Sequence, residues 1–282
     1  ELVMASDPDA DRVGAAVKNN EGEWVLLNGN QTALMFVYYL ITRWKELGKI
    51  NGKEYIVKTI VTTETIKTIA ERNGVEMYDV YTGFKWIANV MRENEGKKNY
   101  IGGGEESYGF LCEDFVRDKD AVSACVILAE IAAWAKDQGL SLYQLLQKIY
   151  VEYGFSKEKG ISVVKKGKSG AEEIEAMMKK FRENPLTEIA GSKVTYFYDY
   201  STLKGKDYAE NETVTLDMPT TSNVLQYFTE DNTKVSIRPS GTEPKIKFYM
   251  EVQGEMGCRN CFASADAAAM EKIEAVKKSL GI

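Results

Sequence analysis

The sequence contains no histidine among its 282 residues. Without histidine, this chain cannot by itself form the Ser–His or Cys–His pairs of nucleophilic catalysis, or a metal site with imidazole ligands. Cysteine is also scarce, and four residues are too few for the disulfide framework of a small secreted domain. Cys258 and Cys261 form a C-R-N-C pair that we expect to be reduced and incidental. A zinc site there would need two more ligands, and Cys112 and Cys125 lie far away in the sequence.

Excess positive charge and long apolar segments are also absent. The net charge of −6 argues against a protein that binds nucleic acid by neutralising phosphates. The longest apolar run, Ala33–Ile41, is too short to span a membrane and includes Tyr38 and Tyr39. The N-terminus lacks the basic region and apolar stretch of a signal peptide. We therefore expect a cytoplasmic protein with no nucleic-acid or membrane partner.

The first half of the chain alternates apolar strand patterns with helix patterns. Helices are predicted over Gln31–Leu47 and Thr65–Asn73, with a strand over Tyr55–Thr62 between them. This alternation predicts an α/β domain with a largely parallel sheet and flanking helices. After about Tyr150 the strand patterns are grouped and the helices are segregated. This second pattern predicts a smaller α+β C-terminal domain, with a hairpin over Phe155–Val164.

Asp7, Asp9 and Asp11 concentrate negative charge in the segment D-P-D-A-D-R. On a straight strand, residues two apart share a face but lie about 6.5–7 Å from each other. Oxygen ligands of one Mg²⁺ lie at most about 4.2 Å apart, because each lies about 2.1 Å from the ion. The segment must therefore curl to hold an ion, which Pro8 and Ala10 permit. Carboxylate ligands alone favour a hard cation such as Mg²⁺.

Two other interpretations of this acidic loop remain open. An EF-hand also spaces acidic residues by two, but it needs Gly at its sixth position and Glu at its twelfth, where this sequence has Arg12 and Lys18. The loop could also be a solvated acidic turn without a ligand. Arg12 could partly neutralise the carboxylates or hold an anion.

The second loop of interest is G-G-G-E-E-S-Y-G, residues 102–109. Three consecutive glycines allow unusual backbone angles or a close approach to a ligand. In an extended chain, Glu105 and Ser107 point to the same side, where they could bond a polyhydroxylated ligand. An ordinary acidic turn fits this segment equally well.

The third loop is R-P-S-G-T-E-P-K-I-K, residues 238–247. Ser240, Gly241 and Thr242 can direct amide and hydroxyl groups towards one point and so form an anion site. Arg238 adds a bidentate donor for phosphate, and Lys247 adds a further positive charge. The segment differs from a nucleotide P-loop. A plain turn between two strands is the alternative.

Taken in this order, the three loops resemble the α-D-phosphohexomutase family, which contains the phosphoglucomutases and phosphomannomutases. D-P-D-A-D-R is similar to the family's metal-binding loop, G-E-E-S-Y-G to its sugar-binding loop, and R-P-S-G-T-E-P-K-I-K-F-Y to its phosphate-binding loop. Y-T-G-F-K-W at 81–86 and R-D-K-D-A at 117–121 are similar to two further family segments. The resemblance extends over nearly the whole chain.

The resemblance implies a role for each matching residue. The metal ligands would be Asp7, Asp9 and Asp11, and the ion would be Mg²⁺. The substrate-binding residues would be Thr82, Gly83, Glu105, Ser107, Arg238, Ser240, Gly241, Thr242 and Lys247. Arg12 and Lys119 would be catalytic, with Lys119 a candidate general base only if its surroundings lower its pKa.

The resemblance also implies a domain division. The family has four domains, and its metal loop lies in the second. Residues 1–27 would be the end of domain two, 28–150 the α/β domain three and 151–282 the α+β domain four. The family's phosphoserine stretch in domain one contains a His, which this sequence lacks. We therefore expect a C-terminal half that is inactive without the missing N-terminal half.

The implied activity is a Mg²⁺-dependent intramolecular phosphotransfer between hexose 1-phosphate and hexose 6-phosphate. It would proceed through a phosphoserine and a bisphosphorylated sugar, so hexose 1,6-bisphosphate is an expected activator. Tyr108 and Gly109 replace a Gly-His ending that phosphomannomutase-like members often carry, which favours the phosphoglucomutase branch. Phosphomannomutase and phosphopentomutase remain alternatives. A non-catalytic phosphosugar-binding module and a Ca²⁺- or Mg²⁺-stabilised structural domain are alternatives from other classes.

Overall fold

The segments with strand and helix patterns form strands and helices, which pack into two separate units. The computed structural model describes residues 2–165, 167–241 and 243–282, and only the backbone of residue 168. The first unit comprises Glu1–Phe155 with Met256–Phe262. The second comprises Ser156–Glu255 with Ala263–Ile282.

A four-stranded, largely parallel sheet forms the centre of the first unit, as the sequence predicts. The strands are β1 (Leu2–Ser6), β2 (Val13–Lys18), β3 (Trp24–Leu27), β4 (Glu54–Thr59), β5 (Glu76–Val80), β6 (Asn99–Gly104) and β7 (Phe110–Cys112). The helices are α1 (Gly29–Glu46), α2 (Thr65–Arg72), α3 (Phe84–Asn94), α4 (Ala121–Asp137) and α5 (Leu142–Tyr153). The strand order is β5-β4-β6-β7, with β4 parallel to β5 and β6, and β7 antiparallel to β6.

Burial explains why this sheet forms. Every residue of β4 is buried, as expected for the centre of a parallel sheet that is covered by helices. Helices α1 and α3 both contact β6. A capping box fixes the start of α1, because Asn28 Oδ1 accepts the Gln31 amide at 2.8 Å and Gln31 Oε1 accepts the Asn28 amide at 3.0 Å. The capping box therefore fixes the residue at which α1 begins.

The antiparallel sheet β1-β2-β3 has one buried face and one exposed face. Val13, Ala15 and Val17 alternate along β2 and are buried. On the opposite face, Val3 pairs with Ala16 and Ala16 pairs with Leu26, and both large side chains are exposed. The loop between β1 and β2 contains the acidic segment.

The second unit is built on an eight-stranded sheet with segregated helices, which confirms the predicted α+β class. The strands are β8 (Phe155–Val164), β9 (Glu188–Ile189), β10 (Ser192–Asp199), β11 (Lys204–Asp207), β12 (Glu212–Thr215), β13 (Leu225–Thr229), β14 (Lys234–Pro239) and β15 (Lys245–Gly254). The helices are α6 (Gly167–Glu183) and α7 (Phe262–Leu280), whereas the 3₁₀ turn Arg259–Cys261 between β15 and α7 belongs to the first unit. The order is β12-β11-β10-β13-β14-β15-β8, with β9 beside β10.

Two expectations about this region were wrong. Phe155–Val164 is one continuous strand and not a hairpin, because Gly160 does not adopt the positive φ that a tight hairpin turn requires. Cys258 and Cys261 are joined in a disulfide and are not a reduced pair. The 3₁₀ turn brings their Cα atoms to 5.3 Å, within the usual range for a disulfide.

Within the described ranges, no helix combines the length and the apolar character that crossing a lipid bilayer requires.

Candidate functional site

The acidic loop after β1 is curled, as its spacing predicts for an ion-binding segment. Asp7 Oδ1 accepts the amides of Asp11 at 3.2 Å and Arg12 at 3.1 Å. The Asp7 carbonyl accepts the Ala10 amide at 3.0 Å, and Ala10 adopts a left-handed φ of 56°. Partial desolvation acts to raise the pKa of Asp7, but the Arg12 and Asp11 amides outweigh it and lower that pKa.

Asp11 is the member of the loop that contacts the two predicted catalytic residues, Lys119 and Arg12. Its Oδ2 lies 2.8 Å from Lys119 Nζ, and its Oδ1 lies 3.7 Å from Arg12 Nε. The Oδ1 atom is shielded from solvent and accepts no hydrogen bond. Asp9 is exposed.

The acidic loop fits a magnesium ion in donor chemistry. Its carboxylate oxygens are hard ligands, and a buried carboxylate oxygen without a hydrogen bond, Asp11 Oδ1, is a suitable ligand for a cation. The three carboxylates are not gathered, however. Across residues 2–165, 167–241 and 243–282, no group of three His, Cys, Asp or Glu side chains is close enough to hold a metal ion.

Backbone contacts join the acidic loop to the predicted sugar-binding segment, residues 102–109. Arg12 forms an isolated antiparallel bridge with Gly109, and the Val13 amide donates to the Tyr108 carbonyl at 3.2 Å. The Ala10 carbonyl accepts the amide of Ala121, the first residue of α4, at 3.0 Å. The two loops and the start of α4 therefore form one assembly.

Glu105 is buried in this assembly, and the side chain is 7% exposed. Its Oε1 accepts the Gly83 amide at 2.8 Å, which joins it to the segment that precedes α3. Gly83 has a φ of 110°, which favours glycine, and Thr82 beside it is half-buried. The Gly83 amide thus lies against the Glu105 carboxylate, and Thr82 directly precedes Gly83 in the chain.

Ser107 does not follow the geometry expected from the sequence. Residues 106 and 107 form a turn, so the extended alternation that would place Ser107 beside Glu105 does not apply. Ser107 is half-buried.

Sequence reasoning missed Glu106 and the start of α1 as supports of this loop. Thr59 Oγ1, at the end of β4, donates to Glu106 Oε2 at 3.3 Å. A Cβ atom on Gly29 would lie 2.0 Å from the Glu106 carbonyl oxygen, so the start of α1 lies directly against the loop. The glycine that follows the N-cap Asn28 is the sequence signal that could have indicated this close approach.

Lys119 is positioned by acidic partners, and its side chain is 15% exposed. Its Nζ contacts Asp11 Oδ2 at 2.8 Å and Asp118 Oδ1 at 3.1 Å. Desolvation acts to lower the pKa of Lys119, but the bonds to Asp11 and Asp118 outweigh it and raise that pKa. The condition for Lys119 to act as a general base is therefore not met, and a cationic contact is the role that its surroundings favour.

The predicted phosphate-binding segment of the second unit is a hairpin between β14 and β15. Arg238 on β14 lies directly opposite Lys247 on β15, so two cationic side chains share one face of the sheet. The Ser240 amide donates to the Lys245 carbonyl at 2.8 Å, so this amide does not contribute to the predicted anion site. A Cβ on Gly241 would meet only open space. The predicted residue Thr242 lies outside the described residues.

A cavity of about 550 Å³ lies between this hairpin and α6. Ser240 and Lys245 line it from the hairpin, and Met178 and Arg182 line it from the helix. The Arg182 guanidinium bonds Asp199 at 2.9 Å and Asn223 at 2.7 Å. The cavity is thus lined by basic and acidic side chains together, since Glu183 and Glu243 lie beside Arg182 and Lys245.

Two models of one protein family match the chain. Residues 28–153 match "Phosphoglucomutase/phosphomannomutase, alpha/beta/alpha domain III". Residues 162–268 match "Phosphoglucomutase/phosphomannomutase, C-terminal domain". The two matches follow each other in chain order and contain Thr82, Gly83, Glu105, Lys119 and Arg238.

Curated and solved relatives agree with these matches. A phosphoglucomutase of Staphylococcus aureus (strain MRSA252) is 37% identical over 253 residues, which are 90% of this chain and 45% of the relative. The chain thus spans about half the length of the curated relatives it matches. A crystal structure described as a phosphomannomutase of Thermus thermophilus has a TM-score of 0.62 at 18% identity, over 100% of this chain and 46% of that one.

A third relative was solved with ligands. The N-acetylphosphoglucosamine mutase of Aspergillus fumigatus, in complex with GlcNAc-6P and magnesium, has a TM-score of 0.51 at 13% identity, over 99% of this chain and 49% of that one. At this identity the likeness concerns the fold alone. From the two family models and the curated relatives, we conclude that this chain belongs to the phosphoglucomutase/phosphomannomutase family.

Proposed function

We propose that this chain supplies the metal-binding, sugar-binding and phosphate-binding residues of a phosphoglucomutase-type enzyme. The activity would interconvert hexose 1-phosphate and hexose 6-phosphate, with a phosphoserine from another part of the enzyme and a bisphosphorylated sugar between them. The observation that carries this proposal is the joining of the acidic loop, the sugar-binding loop and Lys119 through the Arg12–Gly109 bridge and the Lys119–Asp11 ion pair.

In the first unit, the proposed roles follow from charge and burial. Asp7, Asp9 and Asp11 would hold Mg²⁺, which supplies electrostatic stabilisation of charge on the transferred phosphoryl group when it is bound. Arg12 is half-exposed beside Asp11 and would contact that group's oxygens. The protonated Lys119 ammonium group would move from its partners Asp11 and Asp118 to contact the substrate.

The sugar hydroxyl groups would be bound by the buried loop of the first unit. Glu105 accepts a hydrogen bond from the Gly83 amide through Oε1, which fixes the carboxylate and leaves Oε2 to accept from a sugar hydroxyl. Ser107 and Thr82 are half-buried and would add hydroxyl groups. These groups orient the sugar and take no part in bond making.

In the second unit, the hairpin would bind the phosphate already present on the sugar. Arg238 and Lys247 lie opposite each other, and a dianion between them would offset their mutual repulsion. Ser240 would contribute its hydroxyl and Gly241 its amide. Thr242 is part of the proposed site from the sequence alone.

Two further features of the proposal rest on the sequence and the relatives. Tyr108 and Gly109 favour glucose over mannose, and the curated relatives that match are named phosphoglucomutases. Hexose 1,6-bisphosphate as activator and a cytoplasmic location stay predictions. A phosphosugar-binding module is the second candidate, because the chain carries the loops proposed to bind the sugar and its phosphate.

Titration calorimetry tests the binding part of the proposal. The purified chain, with Mg²⁺, is titrated with glucose 1-phosphate, mannose 1-phosphate and ribose 5-phosphate. We expect glucose 1-phosphate to bind most tightly, and Arg238→Ala to weaken that binding by about 10- to 100-fold, since a charge-assisted bond contributes about 1.5–3 kcal/mol. Lys204→Ala, which removes an exposed cation on another hairpin of the same unit, should leave binding unchanged.

A mutase assay distinguishes the two candidate functions, a phosphoglucomutase-type enzyme and a phosphosugar-binding module. We expect no turnover by the chain alone, and turnover when a phosphoserine-bearing N-terminal part of a family member is added. Binding without any restored turnover would favour the module. Failure of all three sugar phosphates to bind would contradict both.

A further inference from the structure

The C-R-N-C segment lies outside the loops discussed above and has its own chemistry. Cys258 is exposed and Cys261 is half-buried, and a disulfide joins them across the 3₁₀ turn Arg259–Cys261. Since the pair is accessible to solvent, small thiols and disulfides can reach it. A disulfide that is both short-range and exposed belongs to the class that is readily exchanged.

The surroundings of the pair favour thiolates when it is reduced. Arg259 places a positive charge between the two cysteines, and Cys261 directly precedes the 19-residue helix α7. Cations and helix N-termini both lower the pKa of a neighbouring thiol. By contrast, burial raises the pKa of Cys112, and desolvation raises the pKa of the half-buried Cys125.

A zinc site is not supported here. Among the residues that the structure describes, no third His, Cys, Asp or Glu joins the pair in a group that could hold a metal ion. A C-x-x-C pair without further ligands is suited to dithiol–disulfide chemistry.

The turn is coupled to a cluster of aromatic rings in the first unit. Phe262 follows Cys261 and is buried, with ring centroids 5.5 Å from Tyr143, 6.1 Å from Tyr150 and 5.8 Å from Phe155. Met256–Phe262 is assigned to the first unit, whereas the strand before it and the helix after it belong to the second. Because Cys261 and Phe262 are adjacent in the chain, a change in the conformation of the turn would also move Phe262 against the aromatic rings.

We propose that Cys258 and Cys261 are a redox modification site that exchanges with low-molecular-weight disulfides and thereby controls the packing of Phe262. In the oxidising direction, the Cys258 thiolate attacks a sulfur of the small disulfide and releases one small thiolate. The Cys261 thiolate then attacks Cys258 Sγ and releases the second thiolate. Two protein thiols and one small disulfide thus give one protein disulfide and two small thiols.

Thiol trapping tests this proposal without any assay of mutase activity. The full chain is equilibrated with mixtures of reduced and oxidised glutathione, quenched with acid, labelled with a maleimide and analysed by peptide mass spectrometry. We expect Cys258 and Cys261 to gain and lose labels together, and reversibly, as the ratio changes. Cys112 and Cys125 should be labelled at every ratio after unfolding.

Variants distinguish exchange within the pair from general oxidation. Cys261→Ser should leave Cys258 as a mixed disulfide with glutathione, and Cys125→Ser, the matched control, should leave the titration of the pair unchanged. Hydrogen exchange should be faster for residues 143–153 in the reduced protein than in the oxidised protein. The Cys258→Ser, Cys261→Ser double variant should show the faster hydrogen exchange at residues 143–153 under both reducing and oxidising conditions.

Four results would overturn the proposal. The first is that Cys258 and Cys261 are labelled at every glutathione ratio. The second is that they stay unlabelled and bonded even in excess reduced glutathione. The third is hydrogen exchange at residues 143–153 that does not depend on the state of the pair. The fourth is stoichiometric zinc in the reduced protein.

Discussion

The loops predicted to bind metal and sugar in the first unit are assembled very differently from the hairpin predicted to bind phosphate in the second. The first site brings together the loop after β1, the segment before α3, the turn after β6 and the start of α4, through contacts such as Arg12–Gly109 and Lys119–Asp11. The hairpin is local, because Arg238 and Lys247 are paired by the register of two adjacent strands.

The difference predicts how each site responds to perturbation. A site assembled from distant segments depends on the packing of the elements that carry it, so a distant change can displace it. A hairpin depends mainly on its own ladder of hydrogen bonds, so changes in its loop have little effect on the fold.

A methyl group added at Gly29 should disrupt the first site strongly. Its Cβ would lie 2.0 Å from the Glu106 carbonyl oxygen and 2.7 Å from the Tyr108 amide nitrogen, both of which are backbone atoms. We expect Gly29→Ala to lower the free energy of unfolding of the first unit by about 3 kcal/mol, as in overpacked cores. Chemical denaturation followed by tryptophan fluorescence measures this, because all four Trp residues lie in the first unit.

Gly241→Ala is the matched control in the second unit. A Cβ there meets nothing within 4 Å, and the backbone does not require a glycine. The change in stability should be within about 0.5 kcal/mol. Equal losses of stability in Gly29→Ala and Gly241→Ala would contradict the contrast between a site assembled from distant segments and a local hairpin.

Removing the buried ammonium group of Lys58 should have the next largest effect. Its side chain is 1% exposed, and Nζ lies 2.7 Å from Asp79 Oδ1 and 3.0 Å from Glu64 Oε1. Lys58→Ala leaves two carboxylates without this partner, and we expect a loss of about 2 kcal/mol, below the full cost for buried pairs because water reaches both acids.

Lys58→Met keeps most of the packing and removes only the charge, so it should cost less than Lys58→Ala. Asp79 is followed by the segment that contains Thr82 and Gly83. Hydrogen exchange at residues 80–84 should therefore accelerate in Lys58→Ala, while residues 238–247 stay unchanged. Hydrogen exchange that accelerates only at residues 238–247 would contradict the expectation that the loss of Lys58 affects the first site.

The smallest expected effect concerns acid stability of the second unit. Burial acts to raise the pKa of Asp231, but bonds from Lys272, Thr229 and Thr233 outweigh it and hold that pKa well below its usual value of 3.8. A lowered folded-state pKa gives stability that is complete above pH 3.8 and is lost as the pH falls towards the folded-state value. The Asp231 side chain is 39% exposed, so solvent screening limits its contribution to the free energy of unfolding to about 1 kcal/mol.

Asp231→Asn should therefore be less stable than the parent by about 1 kcal/mol at neutral pH, and the difference should shrink as the pH falls below 3.8. Urea midpoints of the second unit over this pH range measure it. A constant difference at every pH would show that Asp231 does not titrate with the lowered pKa.

Local patterns account for what the sequence predicted well. The spacing of Asp7, Asp9 and Asp11 predicted a loop curled around an ion; the loop is curled around the Asp7 carboxylate, but among the described residues the three carboxylates are not gathered. The alternation of strands and helices indicated the α/β class, and the segment that begins at Arg238 indicated a turn between two strands. Each of these depends on residues that are near in the sequence.

Contacts between distant segments account for what the sequence did not predict. Nothing near Lys119 indicates that Asp11 is its partner, because that pair forms only when α4 packs beside β1. The turn at residues 106 and 107 replaced an expected extended segment, because the start of α1 lies against it. Helix α5 was not anticipated, although the capping box of Ser141 and Gln144 marks its start.

Amide NMR titrations of the intact chain test the central claim that the two regions bind opposite charges separately. With Mg²⁺ alone, we predict shifts confined to residues 7–12 and 119–121. With inorganic phosphate alone, we predict shifts confined to residues 238–247. Mg²⁺ shifts scattered over surface carboxylates, or phosphate shifts absent from the hairpin, would contradict the account.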